Sequence, residues 1–314
     1  MISFLILIAG LTLLIFAGDY LVRGAVALAE KIGINPLIIG LTIVAFGTSA
    51  PELVVSLKAA FTGVYGIAIG NVVGSNIANV LLVLGAPALI APIACKEGGI
   101  GFSLLVMAVM TVVLMVMMSS GVLTHLDGLA LLALLGIFLG WQFVHARKDL
   151  ASAQLGGDYH EELDELPAEN SRIVAYLLFG LIGLPLGAQL TVNGAVDIAR
   201  LFGVSETIIG LTIVAIGTSL PELVTTVMAA WRGSGAVAIG NAVGSNIFNI
   251  GAILGITSLL HPLYVPARIT MIDMWIMAAV TALVIVLALM SRSISRWGGF
   301  IMLALFITYV VAVF

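Results

Sequence analysis

The sequence predicts an all-α polytopic membrane protein of ten transmembrane helices, arranged as two inverted five-helix repeats. Three observations carry that prediction. The 314 residues are 61% hydrophobic and only 9% charged, against about 25% charged in a soluble globule. The chain repeats itself 170 residues on: GLTIVAFGTSAPELVVS from Gly40 returns as GLTIVAIGTSLPELVTT from Gly210, and AIGNVVGSNIANV from Ala68 returns as AIGNAVGSNIFNI from Ala238. Each half also holds five apolar runs, an odd number.

The spans follow from those runs, because about 20 mostly apolar residues cross a bilayer. In the first half they cover about 2–22, 35–61, 67–93, 100–119 and 123–145; in the second, about 173–195, 206–230, 237–260, 270–290 and 296–313. The first run is longer than a signal-peptide core and lacks a basic flank and a small-residue cleavage site, so it reads as a membrane helix. Five crossings per half place the second half upside down relative to the first, the plan of many secondary transporters. Residues 40–79 match 210–249 without a gap at 26 of 40 positions, Pro, Glu, Asn, Thr and Ser among them, so hydrophobic bias does not explain the repeat. Upstream, RGAVALAEKIG from Arg23 weakly answers NGAVDIARLFG from Asn193. The chain therefore divides into a first repeat (1–145), a linker (146–171) and a second repeat (172–314).

Basic residues set the orientation. With the N-terminus outside, Arg23, Lys31, Lys96, Arg147, Lys148, Arg172, Arg232, Arg292 and Arg296 lie on the cytoplasmic side, and only Lys58, Arg200 and Arg268 lie outside. Both termini are then external and the linker cytoplasmic. That linker carries seven of the 16 acidic residues, from Asp149 to Glu169. It reads as a solvated connection, since a Ca²⁺-sensing loop needs carboxylates at fixed spacing around a turn glycine. With 12 basic against 16 acidic residues there is no cationic excess to neutralise a nucleic acid. The single cysteine, Cys95, is a packing residue with no companion ligands.

An ionised carboxylate in mid-membrane is expensive and marks function by default. Glu52 and Glu222 are the two such residues, each inside the repeated G-T-S-x-P-E-L. The remaining acids of the spans, including Asp19, Glu30, Glu97, Asp127, Asp197, Glu206 and Asp273, lie near span ends where headgroups or water are in reach. Thr48 and Ser49 precede Glu52 by four and three residues and share its helix face. Pro51 has no N–H to offer the Gly47 carbonyl and disfavours helix just before it, so a break is expected there. Thr218, Ser219, Pro221 and Glu222 repeat the pattern. On the following helix Asn71, Ser75 and Asn79 recur at spacing four, as do Asn241, Ser245 and Asn249. Glu52 and Asn79 each lie roughly 20 Å from the membrane surface at their shared turn, at 1.5 Å per residue, so they meet at mid-depth. Asn76 and Asn246 are read as supports for the helix break. Every donor offered is oxygen, which suits Ca²⁺ or Na⁺ and not the softer metals; His125, His145, His160 and His261 lie elsewhere.

These paired G-T-S-[AL]-P-E-L and G-N-x-V-G-S-N-I-x-N blocks resemble the alpha-repeats of the Ca²⁺/cation antiporter superfamily, and the compact ten-helix form looks like a prokaryotic Na⁺/Ca²⁺ exchanger. The resemblance covers nearly the whole chain. It implies Ca²⁺ binding by Glu52 and Glu222 with the Thr48 and Thr218 carbonyls. It implies Na⁺ sites using Ala45, Ser49, Ser75, Ala215, Ser219 and Ser245, and a middle position lined by Asn79 and Asn249. It further implies that the first helix of each half slides across the remainder, and that the protein sits in a prokaryotic inner membrane. Relatives that couple to K⁺ carry Asp where this chain has Asn249, which argues against K⁺ coupling. The expected function is secondary active exchange of Ca²⁺ for Na⁺ by alternating access, with Ca²⁺/H⁺ exchange as the alternative. A passive channel would need a continuous pore. An enzyme would need a nucleophile with its base, and Ser49 and Ser219 have no His or Lys in helical reach. The expected partners are inorganic cations and lipid, with neither cofactor nor obligate protein partner.

Overall fold

A computed structural model describes residues 2–95, 98–153, 166–204, 215–291 and 293–313. The linker acids Asp158, Glu161, Glu162, Asp164 and Glu165, together with Glu206, Glu97, Lys96, Arg292 and His160, lie outside the described residues. The molecule is mostly helical. In chain order the helices are α1 (Ile2–Ile32), α2 (Pro36–Thr48), α3 (Ala50–Phe61), α4 (Tyr65–Ile90), α5 (Ile100–Met118), α6 (His125–Ala153), α7 (Asn170–Leu201), α8 (Ala215–Gly217), α9 (Leu220–Trp231), α10 (Gly235–Leu260), α11 (Ile269–Met290) and α12 (Arg296–Val313). Among the described residues seven of these are long and apolar enough to cross a membrane, namely α1, α4, α5, α6, α7, α10 and α11. The pair α2 and α3 makes an eighth as one span bent by 43°. Helix α12 is apolar but shorter, and the stretch before α8 and α9 falls in 205–214, outside the described residues.

Turn chemistry ends the helices where the apolar runs do not. Helix α1 continues ten residues past its expected end and stops at Gly33, whose φ of 70° only glycine adopts freely. There Ile34 N–H donates to the Ala29 carbonyl at 2.9 Å, closing a left-handed cap. Gly203 (φ 74°) ends α7 in the same way, with Val204 N–H on the Ala199 carbonyl at 3.0 Å. Asn35 then starts α2, its Oδ1 accepting from Leu37 N–H at 2.8 Å with Pro36 at the first helical position.

Helices α1 and α7 run antiparallel along a continuous seam of small residues. A Cβ on Gly10 would lie 2.5 Å from Thr191 N, one on Gly187 3.0 Å from Leu14 N, and one on Gly194 2.7 Å from Leu7 N. Small residues recur every seven positions on both helices, as Gly10, Ala17 and Gly24 and as Gly180, Gly187 and Gly194. Close backbone approach of this kind supplies the dispersion that holds helices together in lipid. Behind the seam, α10 lies across α2: a Cβ on Gly240 would be 2.8 Å from the Leu37 carbonyl, and one on Gly244 2.7 Å from the Leu41 carbonyl.

Two short antiparallel ladders tie the connections together. Strand β1 (Ile93–Ala94) pairs with β4 (Ser293–Ile294), and β2 (Val122–Leu123) pairs with β3 (Leu263–Tyr264). Two acids expected at accessible span ends are instead buried and paired. Asp19 accepts from Arg232 Nε and lies 3.8 Å from Arg23. Asp273 lies 3.6 Å from Arg268 and accepts from Tyr309 Oη at 3.4 Å. An unpaired carboxylate at either place would have to be stripped of water at a cost of several kcal/mol, and the basic partners remove that need.

Candidate ion-binding site

The site forms where two broken helices meet two helices that change their winding. Helix α2 gives way to α3 at Ser49, whose φ of −83° and ψ of 2° leave the helical region. Ser219 does the same between α8 and α9, at −87° and 5°. In both places the proline two residues on sits in the first turn of the new helix, with the glutamate next to it. That geometry sets each carboxylate at the positive end of a helix dipole.

Both glutamates are about 1% exposed. Ser49 Oγ donates to Glu222 Oε1 at 3.2 Å, so the break of the first half touches the carboxylate of the second. Thr48 Oγ1 donates to Asn241 Oδ1 at 3.2 Å and lies 3.5 Å from Ser245 Oγ. It also donates to the Ala45 carbonyl at 3.3 Å. Thr48, Ser49, Glu222 and Ser245 are thereby joined across the two halves by direct contacts, with Glu52 one helical turn from Ser49. Ser219 is buried at the second break and Ser75 is buried one turn before Asn79, while Thr218 is half-buried. Ala215 opens α8.

Asn79 and Asn249 each open a π-helical turn, Asn79–Leu84 within α4 and Asn249–Leu254 within α10. Such turns insert one residue into the α register and frequently mark functional sites. The turn at Asn79 packs against α9, which carries Glu222, and the turn at Asn249 packs against α3, which carries Glu52. The two asparagines and two glutamates are thus interleaved between halves. At the crossing of α4 and α10, Asn76 Nδ2 donates to the Asn246 carbonyl and Asn246 Nδ2 to the Asn76 carbonyl, each at 3.4 Å. Asn249 Nδ2 donates to Asn76 Oδ1 at 2.9 Å.

Sequence reasoning left Asn71 and Asn241 open between packing and ligation, and the structure gives them to neither lipid nor site interior. Asn71 Nδ2 donates to the Glu52 carbonyl at 3.2 Å and to Ser56 Oγ at 3.0 Å. Asn241 Nδ2 repeats this with the Glu222 carbonyl at 3.2 Å and Thr226 Oγ1 at 2.9 Å. Each asparagine clamps the backbone of a glutamate 19 residues earlier, which fixes where that carboxylate points. Their place on the face of Ser75, Asn79, Ser245 and Asn249 was the available signal.

What remains unpaired defines the chemistry. Among the described residues Glu52 Oε2, Glu222 Oε2, Asn79 Oδ1, Asn79 Nδ2 and Asn249 Oδ1 are buried without a hydrogen-bond partner. Buried polar atoms nearly always have partners. Four unpaired oxygens, two on carboxylates, form a cavity wall whose missing partner is positively charged, and hard cations take oxygen ligands of this kind. No group of three or more His, Cys, Asp or Glu that could hold a metal occurs among the described residues.

Comparisons with known proteins agree with this arrangement. The family model described as sodium/calcium exchanger protein matches residues 2–144 and 172–314. The chain is 32% identical to the sodium/calcium exchanger MaX1 of Methanosarcina acetivorans over 345 residues, covering 100% of this chain and 99% of that one. It is 40% identical over 261 residues to the inner membrane protein YrbG of Escherichia coli, covering 82% and 79%. The solved structure of the sodium-calcium exchanger NCX_Mj soaked with 2.5 mM Na⁺ and 0.1 mM Ca²⁺ matches with a TM-score of 0.84 at 33% identity, covering 99% of this chain and 98% of that one.

Proposed function

This chain belongs to the sodium/calcium exchanger protein family, and from that premise we propose that it is a secondary active antiporter that exchanges Ca²⁺ for Na⁺ by alternating access. The observation that carries the proposal is the pair of buried carboxylates at equivalent positions, each with one oxygen unpaired. Two formal negative charges balance one Ca²⁺. Removing the cation leaves two like charges close together and out of water, which is costly, so the emptied site favours either the next cation or protons.

In this reading Ca²⁺ lies between Glu52 and Glu222 with the Thr48 and Thr218 carbonyls. Na⁺ ions take overlapping positions at Ala45, Ser49 and Ser245 and at Ala215, Ser219 and Ser75, and Asn79 and Asn249 line the middle. Occupancy by one ion excludes the other, and each filled state permits the switch between openings. About three Na⁺ per Ca²⁺ would move one net charge, worth about 2.3 kcal/mol per 100 mV, and drive Ca²⁺ out of the cell. The chain's own groups supply this chemistry, so neither a cofactor nor an enzymatic step enters it.

The proposed architecture is ten spans in two inverted repeats, 1–145 and 172–314, joined by a cytoplasmic linker, with both termini outside a prokaryotic inner membrane. Strand pairing supports it. β1 and β3 are equivalents, 170 residues apart, yet each pairs with the connection between the fourth and fifth spans of the other half. Upside-down repeats put those connections on a common face, whereas parallel repeats would bring β1 and β3 themselves to the same face.

The test is ⁴⁵Ca²⁺ uptake into proteoliposomes under an imposed Na⁺, H⁺ or K⁺ gradient in turn. Uptake driven by the Na⁺ gradient is expected. Uptake driven only by a pH gradient would replace this reading with Ca²⁺/H⁺ exchange, and uptake indifferent to every gradient would replace it with a channel.

A further inference from the structure

A half-open groove of about 380 Å³ lies away from the ion site, between the end of α1, helix α2 and the last turns of the α6 span. Its walls are apolar, Ile34, Ile38, Ile39 and Phe143 among them, with two polar residues, Thr42 and Gln142. The Thr42 hydroxyl is spent on the Ile38 carbonyl at 2.6 Å. Gln142 is 3% exposed and its Nε2 has no hydrogen-bond partner among the described residues. An amide donor buried in an apolar wall is costly unless something accepts from it. The fold does not require the amide, because the residue 170 positions on is Ala312.

Depth identifies what could accept. Gln142 is 17 residues into α6, about 26 Å along the helix at 1.5 Å per residue, and the hydrocarbon core is about 30 Å thick. The amide therefore sits near the inner edge of that core, on the side where α1 ends, which is the cytoplasmic leaflet in the orientation proposed above. Glycerol ester carbonyls occupy this level, and they are acceptors attached to apolar chains. The volume falls within the range of ligand pockets. We propose that this groove is a binding site for a diacyl glycerophospholipid, one acyl chain lying along Ile34, Ile38, Ile39 and Phe143 and its ester carbonyl accepting from Gln142. The lipid would rest on the π-helical turn Gly40–Val44, the part of α2 that leads to Thr48 and Ser49. The proposal rests on the chain spanning a membrane and not on which ion it carries.

The protein is reconstituted into phosphatidylethanolamine and phosphatidylglycerol vesicles with a trace of diacyl phosphatidylglycerol bearing a diazirine near the ester end of one chain. After photolysis, adducts are mapped by mass spectrometry. Labelling is expected on segments 32–42 and 139–146 and should fall about fivefold or more in Gln142→Leu, the affinity equivalent of one hydrogen bond. It should fall similarly in Ile39→Trp, which fills the groove, while labelling around the exposed Trp275 of α11 stays constant. In the wild-type protein an ether-linked analogue with the same headgroup and chains, lacking the carbonyl, should label the groove about fivefold less. Equal labelling by ester and ether lipids, a groove that stays unlabelled in the wild type, or labelling unchanged in Gln142→Leu would overturn the proposal. None of these readouts depends on transport, so a failed exchange assay leaves them standing.

Discussion

Glu222→Gln separates charge from geometry at the ion site. The glutamine keeps an amide oxygen where Glu222 Oε1 now accepts from Ser49 at 3.2 Å, and Asn241 still clamps the backbone of residue 222. What is lost is one of two buried negative charges. A bound Ca²⁺ would then carry one uncompensated charge in a site with almost no water, and removing one partner of a buried ion pair costs roughly 3–5 kcal/mol. At 1.4 kcal/mol per tenfold, Ca²⁺ affinity should fall about 10²–10⁴-fold. Coulomb energy is proportional to the ion's charge, so a monovalent ion loses roughly half as much, and Na⁺ binding should weaken by only about the square root of that factor. Glu222→Asp keeps the charge but withdraws it by one bond, about 1.5 Å, away from Ser49, and should fall between wild type and Glu222→Gln. Equilibrium ⁴⁵Ca²⁺ binding and ⁴⁵Ca²⁺ uptake in proteoliposomes read both effects, with thermal melting to show that each variant is folded. A folded Glu222→Gln protein whose Ca²⁺ affinity stays within about threefold of wild type, under ~0.7 kcal/mol, would refute the assignment, as would equal losses for Ca²⁺ and Na⁺.

Two further outcomes follow from the packing. Asn241→Ala should weaken Ca²⁺ binding more than Asn71→Ala, because Asn241 holds Thr48 as well as the Glu222 backbone and Thr226 while Asn71 holds only the Glu52 backbone and Ser56; with about 1–3 kcal/mol for each buried group left unpaired, a titration showing equal losses would contradict the clamp. Gly180→Val should lower the melting temperature in detergent by an overpacking cost of about 1–3 kcal/mol, since its Cβ would press on the Leu21 side chain and lie 2.9 Å from the Leu21 Cα, whereas Gly136→Ala, with nothing within 4 Å, should leave it unchanged.

The parts of this fold that could be read from the sequence are those written in chemistry that the membrane penalises. Glu52 and Glu222 stand out because an apolar solvent makes each charge costly, and Pro51 and Pro221 mark the breaks because a missing N–H acts locally. Helix ends were less legible: α1 runs on to Ile32 and α7 to Leu201 after the apolar runs stop, and Gly33 and Gly203 end them. The π-helical turns at Asn79 and Asn249 escaped altogether, since an inserted residue changes the winding without changing composition. The clamps made by Asn71 and Asn241 depend on a partner 19 residues away on another helix, which periodicity along one helix does not contain. Two-residue ladders such as β1 with β4 are too short to leave any alternating pattern.

The repeat also explains why its differences carry information. Twofold-related positions share local geometry, as at Ser49 and Ser219, whose backbone angles agree within a few degrees. A side chain present in one half alone is therefore not required by that geometry. Asp19, paired with Arg232, corresponds to Gln189, which instead donates to Asn193 at 2.8 Å. One end of the α1 and α7 pair is thus fastened by opposite charges and the other by neutral amides. Moving α1 along α9 must separate Asp19 from Arg232 and rehydrate both, whereas the Gln189–Asn193 contact lies within α7 and travels with it. If the two openings interconvert by motion of α1 and α7 together, the charged end opposes that motion and the neutral end does not. The two openings of an otherwise symmetric scaffold would then differ in free energy with no difference at the ion site itself.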